Sequence, residues 1–135
     1  MGDGSWGMGE VRSFRDLKVY QMLCDLHFEV CELTYRFPSF EKYELGSQIR
    51  RSSNSIPANI AEGSGNKHIN IYLETLNRAL GELRETLHHL MVAHRKGYLT
   101  EEKHSEMSKR YEQCARMIKA LERSLLSRAV KTHDP

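Results

Sequence analysis

The sequence predicts an all-α protein, an antiparallel up-down bundle of four helices. Three observations lead there. Apolar residues recur every three to four positions in four stretches, the spacing of one helix face. Only three prolines interrupt 135 residues. The connections between stretches are short and carry Pro38, Gly63, Gly65 and Gly97, residue types that end helices. Four helices so connected pack beside their sequence neighbours and alternate in direction.

The chain has the size of one domain with a modest core. It is 39% hydrophobic and 28% charged, with a formal net charge of +2. That balance demands neither nucleic acid nor a membrane, so a cationic surface must come from local clustering. No apolar run approaches the roughly 18–20 residues of a membrane span. The opening MGDGSWGMGE lacks the regions of a signal peptide, and Trp6 stands where a myristoylation signal carries Ser or Thr. Cys24, Cys31 and Cys114 form no CxxC pair and read as small core residues of a reducing compartment. The expected location is the cytoplasm.

Residues 1–12 hold four glycines and little apolar pattern, so they read as a flexible arm. The bundle is expected over 13–128, with a polar tail at 129–135. Ser13 can cap the first helix, with Asp16 at its positive end, and Pro38 stops it. This helix has two apolar stripes. Leu17, Tyr20, Cys24, Phe28, Cys31 and Tyr35 form one; Val19, Leu23, Leu26, Val30, Leu33 and Phe37 form the other. A surface helix in a small bundle needs one stripe. The second calls for another cover, and a second copy of the chain is the nearest candidate. Val19, Leu23, Leu26, Val30 and Leu33 are the expected oligomer interface. A wide stripe buried within one bundle is the alternative.

The second helix places Leu45, Ile49, Ser52, Ile56 and Ile60 on one side. Pro57 lies inside it and predicts a kink, because its ring opposes the Ser53 carbonyl. Ser52, Ser53, Ser55 and Ala58 are small enough for close packing. Asn66 is the expected cap of the third helix, whose stripe runs from Ile69 to His94 and ends at Lys96 and Gly97. Thr100 caps the fourth, whose stripe is Met107, Tyr111, Cys114, Ile118, Leu121 and Leu125.

Residues 14–20 (FRDLKVY), 37–63 (FPSFEKYELGSQIRRSSNSIPANIAEG), 79–86 (ALGELRET) and 96–102 (KGYLTEE) together resemble a family. It comprises the four-helix-bundle proteins encoded within intervening sequences of bacterial 23S ribosomal RNA genes. The accessory variability protein of diversity-generating retroelements is included. SIPANIAEG is the most specific piece, and the resemblance spans roughly 13–126. It implies a ring, commonly a pentamer, without enzymatic activity. It also implies, for the retroelement members, nucleic acid and a reverse transcriptase as partners. Two departures lower the local positive charge: Ser64, Gly65 and Asn66 precede Lys67, and Glu82 follows Gly81 where the family often has Ser.

Reaction chemistry finds little footing. Glu85-x-x-His88 and Glu101-x-x-His104 have the spacing of di-iron bundle ligands. Helix phase turns Glu85 and His88 away from the core stripe, and Glu101 lies at the end of its helix. His88, His89 and His94 share no row, and Cys24 and Cys31 are two turns apart, too far for one tetrahedral metal. No metal or cofactor is expected. Charge supports a binding role instead. Arg50, Arg51, Lys67, Arg78, Arg84, Arg95 and Lys96 are the candidate phosphate contacts for RNA or DNA. Arg50 or Arg51 could instead pair with Glu41, Glu44 or Glu62. A protein-binding oligomer with no nucleic-acid role is the alternative.

Overall fold

The computed structural model describes residues 13–133. The expected arm at 1–12, with Trp6, and residues 134–135 lie outside them. The described chain is helical, with no strand among the described residues. Its four long helices are α1 (Lys18–Tyr35), α3 (Leu45–Gly63), α4 (Ile69–Arg95) and α5 (Glu101–His133). A one-turn helix, α2 (Ser39–Lys42), bridges α1 and α3.

Local chemistry sets several of these boundaries. Ser13 Oγ accepts the Arg15 amide at 3.1 Å, and the Asp16 carboxylate accepts the Ser13 amide at 3.2 Å. This reciprocal cap closes only a 3-10 turn, Phe14–Asp16. Leu17 then extends the backbone, buries its side chain, and α1 begins one residue later. Asn66 shapes the turn before α4 by accepting the His68 amide at 2.9 Å, but the helix starts at Ile69. Thr100 caps α5 as expected, accepting the Lys103 amide at 3.0 Å. Gly97, at φ +85°, reverses the chain after α4. The Tyr98 amide there reaches the Ala93 carbonyl at 2.9 Å, the closing bond of a glycine-capped helix end. α5 stays helical through His133, past the expected boundary at 128.

α3 packs on α4 and α1, and α5 packs on α4 and returns to α1. The core lies between the four helices. Leu23, Val30, Ile49, Ile56, Ile60, Leu76, Met107, Tyr111 and Ile118 are inaccessible to solvent. Each buried aliphatic side chain of this size contributes about 1.5–3 kcal/mol. The α3–α4 contact is closest at small residues. A Cβ on Gly63 would lie 1.9 Å from Thr75 Oγ1, and Ser52 Oγ meets Thr86 Oγ1 at 2.8 Å. On the other side of α3, Ser53 Oγ meets His27 Nδ1 of α1 at 2.8 Å. Ser52 and Ser53 therefore serve the close packing expected of them, while Ala58 is exposed.

The two stripes of α1 correct the expected interface. Val19, Leu23, Leu26 and Val30 are at most 4% exposed in a single subunit, and Leu33 is half-buried. α3 and α5 already cover this stripe, so it is intrachain core and leaves nothing for a second copy. The opposite stripe is the open one. Phe28 is 64% and Tyr35 57% exposed, with Tyr20, Cys24 and Cys31 half-buried beside them. Phe40 and Tyr43, from α2 and the residue after it, are 72% and 75% exposed.

Candidate nucleic-acid interface

Three of the seven candidate cations are engaged inside the fold. Arg50 leaves α3 toward the α1–α2 connection. It donates to Thr34 Oγ1 at 2.9 Å and to the Lys42 carbonyl at 2.8 Å. Its guanidinium lies 5.1 Å from the Tyr35 ring centre, a cation–π contact. Neither of the two bonds uses an acid, in contrast to the expected carboxylate pairing. Arg51, one position on, faces α4 instead. It pairs with Glu85 and lies 3.7 Å from Glu82. Glu82 thus stands beside this arginine as a second acid, without a hydrogen bond to it. The expected partners Glu41, Glu44 and Glu62 are not used, because the helix phase of Arg51 points across to α4.

Lys96 is the third. Its Nζ donates to Glu41 Oε2 at 2.8 Å, and Tyr98 Oη donates to the same oxygen at 2.9 Å. Glu41 is buried, and Lys96, Tyr98 and the Leu45 amide hold its carboxyl below the ordinary carboxylate range. The same contact raises Lys96, and burial, then this contact, raises Tyr98. This carboxylate fastens α2 to the α4–α5 turn. The sequence reading missed it, because nothing local to residues 37–44 announces a partner 55 positions away.

Lys67, Arg78, Arg84 and Arg95 remain. All four are exposed and have no ion pair or hydrogen-bond partner among the described residues. Arg84 and Arg95 share a line on α4. At about 100° per residue, Asn70, Asn77, Arg84, His88 and Arg95 fall within about 40° of one another. All five are exposed, and no acid stands in that row. Lys67 lies in the turn just before it. Arg78 stands about 120° around the helix from Arg84. The row was legible in the seven-residue steps from 70 to 77 to 84 and from 88 to 95; following the apolar stripe alone passes over it.

Other chemically capable groups are spread over the bundle. Glu85, a di-iron candidate, sits on the outside of α4 and is shared by Arg51 and His89. His88 is exposed. Burial lowers His27, so its ring is held neutral between Ser53 and the Cys31 sulfur, 3.6 Å away. Burial pushes the Cys114 thiol up to about 12, which leaves it unreactive. The three cysteines are free thiols. No helix among the described residues is long and apolar enough to cross a membrane.

A four-helix core and an exposed cationic row on one long helix define an all-helical bundle domain. The chain belongs to the 23S rRNA-intervening sequence protein family, whose sequence pattern matches residues 15–120. It is similar in structure to a protein of unknown function from the S23 ribosomal protein family of Bacteroides thetaiotaomicron. That match has a TM-score of 0.72 at 23% identity, over 78% of this chain and 95% of the other. At that identity the likeness concerns the fold. No curated protein matches the chain.

Proposed function

We propose that the protein is a non-catalytic homo-oligomeric scaffold, a pentameric ring in the cytoplasm, that binds structured RNA or DNA through the exposed face of α4. Each subunit is an antiparallel up-down bundle with a bend at Pro57. Contact register supports the antiparallel order. From Ser52 to Gly63 on α3 the partner on α4 moves back from Thr86 to Thr75. The row of α4 that contains Arg84 and Arg95, flanked by Lys67, carries the proposal. These cations have no acid of their own to neutralise, so they are available to phosphates. One subunit offers a few contacts; a ring repeats them and makes the affinity strongly dependent on salt. With no sheet of stacking aromatics among the described residues, recognition reads phosphate and shape, with weak sequence preference. The family resemblance supports a reverse transcriptase as the protein partner.

Gel-shift titrations with structured RNA and duplex DNA test this reading. Binding should be present at low salt and fall steeply toward moderate salt. Arg84→Ala and Arg95→Ala should each weaken it for all sequences and reduce the salt slope by about one for every subunit that touches the nucleic acid. Absence of binding to either nucleic acid at low salt overturns it. The open aromatic stripe of α1 and α2 favours a second reading, an oligomer that binds only protein. That reading predicts a stable assembly whose mass in solution is unchanged by RNA or DNA.

A further inference from the structure

The turn between α4 and α5 brings together three side chains that the binding role does not use. His94 sits in the last turn of α4; Glu101 and His104 lie in the first turn of α5, three residues apart. His94 Nε2 is 2.9 Å from Glu101 Oε1. The His94 and His104 rings stack, with centres 4.6 Å apart and planes 10° from parallel. One potential ligand atom from each of the three residues lies within 4.8 Å of the other two. We propose that His94, Glu101 and His104 form a mononuclear site for a divalent transition-metal ion of the zinc type, pinning the α4–α5 turn.

The donor set chooses the class of ion. Two imidazole nitrogens and one carboxylate oxygen suit zinc, cobalt or nickel. Magnesium and calcium prefer oxygen alone. Three protein ligands leave a fourth position for water, the arrangement of an open tetrahedral site. Bonds of about 2.0–2.1 Å put neighbouring ligand atoms roughly 3.3 Å apart in a tetrahedron. The His94–Glu101 pair is already near that separation. His104 must close the remainder and turn out of the stack, because a metal binds in the plane of an imidazole.

The backbone under these groups is fixed. The Gly97 amide donates to the His94 carbonyl at 2.9 Å, and the His104 amide donates to the Thr100 carbonyl at 2.9 Å. Only side-chain torsions therefore need to change. Among the described residues, the neighbouring ammonium groups are engaged elsewhere. Lys96 turns to Glu41, and Lys103 turns to Glu29 and Glu106. The placement also explains why a buried di-iron reading fails while a single-ion site stands. Glu101 is 77% exposed at the end of the bundle, where an ion keeps its water.

The test uses the full chain without a histidine tag. Calorimetric titration with zinc chloride should give one ion per chain, with a rise in the thermal midpoint. Cobalt(II) should give the visible absorption of a four-coordinate site. His94→Ala and His104→Ala should each cost at least about tenfold in zinc affinity, in line with what ligand shells contribute. Glu101→Gln should weaken zinc binding severalfold and change the cobalt spectrum. His88→Ala and His89→Ala, on the outer side of α4, should change neither. If the histidine variants lose helical signal, Glu101→Gln decides, since its side chain is exposed. No heat and no cobalt absorption at metal up to about 100 μM, which would put any dissociation constant above that range, overturns the proposal. So does zinc binding that survives Glu101→Gln unchanged, or that follows His88 and His89.

Discussion

Single residues separate the groups that hold the fold from those that face outward. Gly63 has no left-handed backbone to justify it. Its reason is space, because a methyl group there would overlap the Thr75 hydroxyl. Gly63→Ala should destabilise the protein by about 1–3 kcal/mol through overpacking. Thr75→Ala should recover part of that loss, so the double variant should be less than additive in denaturant midpoint. The arginines divide in the same way. Arg50 binds a hydroxyl, a carbonyl and a ring at once. Arg50→Ala should cost about 1–3 kcal/mol, because the Lys42 carbonyl and Thr34 lose a charged donor. Arg84→Ala, with nothing to lose inside the subunit, should stay within about 0.5 kcal/mol of the parent. Denaturant unfolding of both variants checks this pair. Equal losses would place Arg84 in the fold and remove it from the interface.

Between elements, one acid ties α1 to α5 beside their apolar contact. Glu29 accepts both terminal nitrogens of Arg110 and lies 3.4 Å from Lys103 Nζ. Arg110, then Lys103, hold its carboxyl below the ordinary value. It binds its proton less tightly folded than unfolded, so it stabilises the fold above the ordinary glutamate value of about 4.3. That contribution fades as pH falls from there through the lowered value. Glu29→Gln should therefore lower stability at neutral pH by about 0.5–1 kcal/mol, a modest figure because all three side chains are partly solvated. The two proteins should converge on acidification, in thermal melts taken from pH 7 to pH 3. Such long-range pairs are invisible to periodicity. The stripes of α3, α4 and α5 were legible because a helix that buries one face must repeat its apolar residues. Leu76, Leu83, Ile118 and Leu121 are core for that reason. α1 was legible only to the point of having two stripes. Which one faces inward depends on how α3 and α5 dock, and no spacing within α1 encodes that. α2 and the buried Glu41 were missed on the same ground. The acid's partners Lys96 and Tyr98 lie in another turn.

At the scale of the molecule, the open stripe bears on the proposed assembly. Phe28, Tyr35, Phe40 and Tyr43 all leave more than half of their surface to water. Four large aromatics on α1, α2 and the residue after α2 are costly to leave wet, and pairing them with a second copy removes that cost. The self-association surface of the proposed ring therefore moves from the Val19–Leu33 stripe to this one. Phe28 and Phe40 are the residues to change, because neither makes a hydrogen bond or touches Arg50. Phe28→Asp with Phe40→Asp places two charges in the contact while leaving the intrachain core intact. Light scattering at about 10 μM, a concentration at which assembly and stability are linked by mass action, should show the parent as an oligomer and the double variant as a monomer. Circular dichroism should show equal helix in both. Nucleic-acid affinity at fixed low salt should drop with the mass although no α4 residue has changed, because a lone subunit keeps its cations but loses those of its neighbours. A parent that is already monomeric removes the ring. A monomeric variant that binds RNA as tightly as the parent leaves the α4 row in place and shows that one subunit suffices.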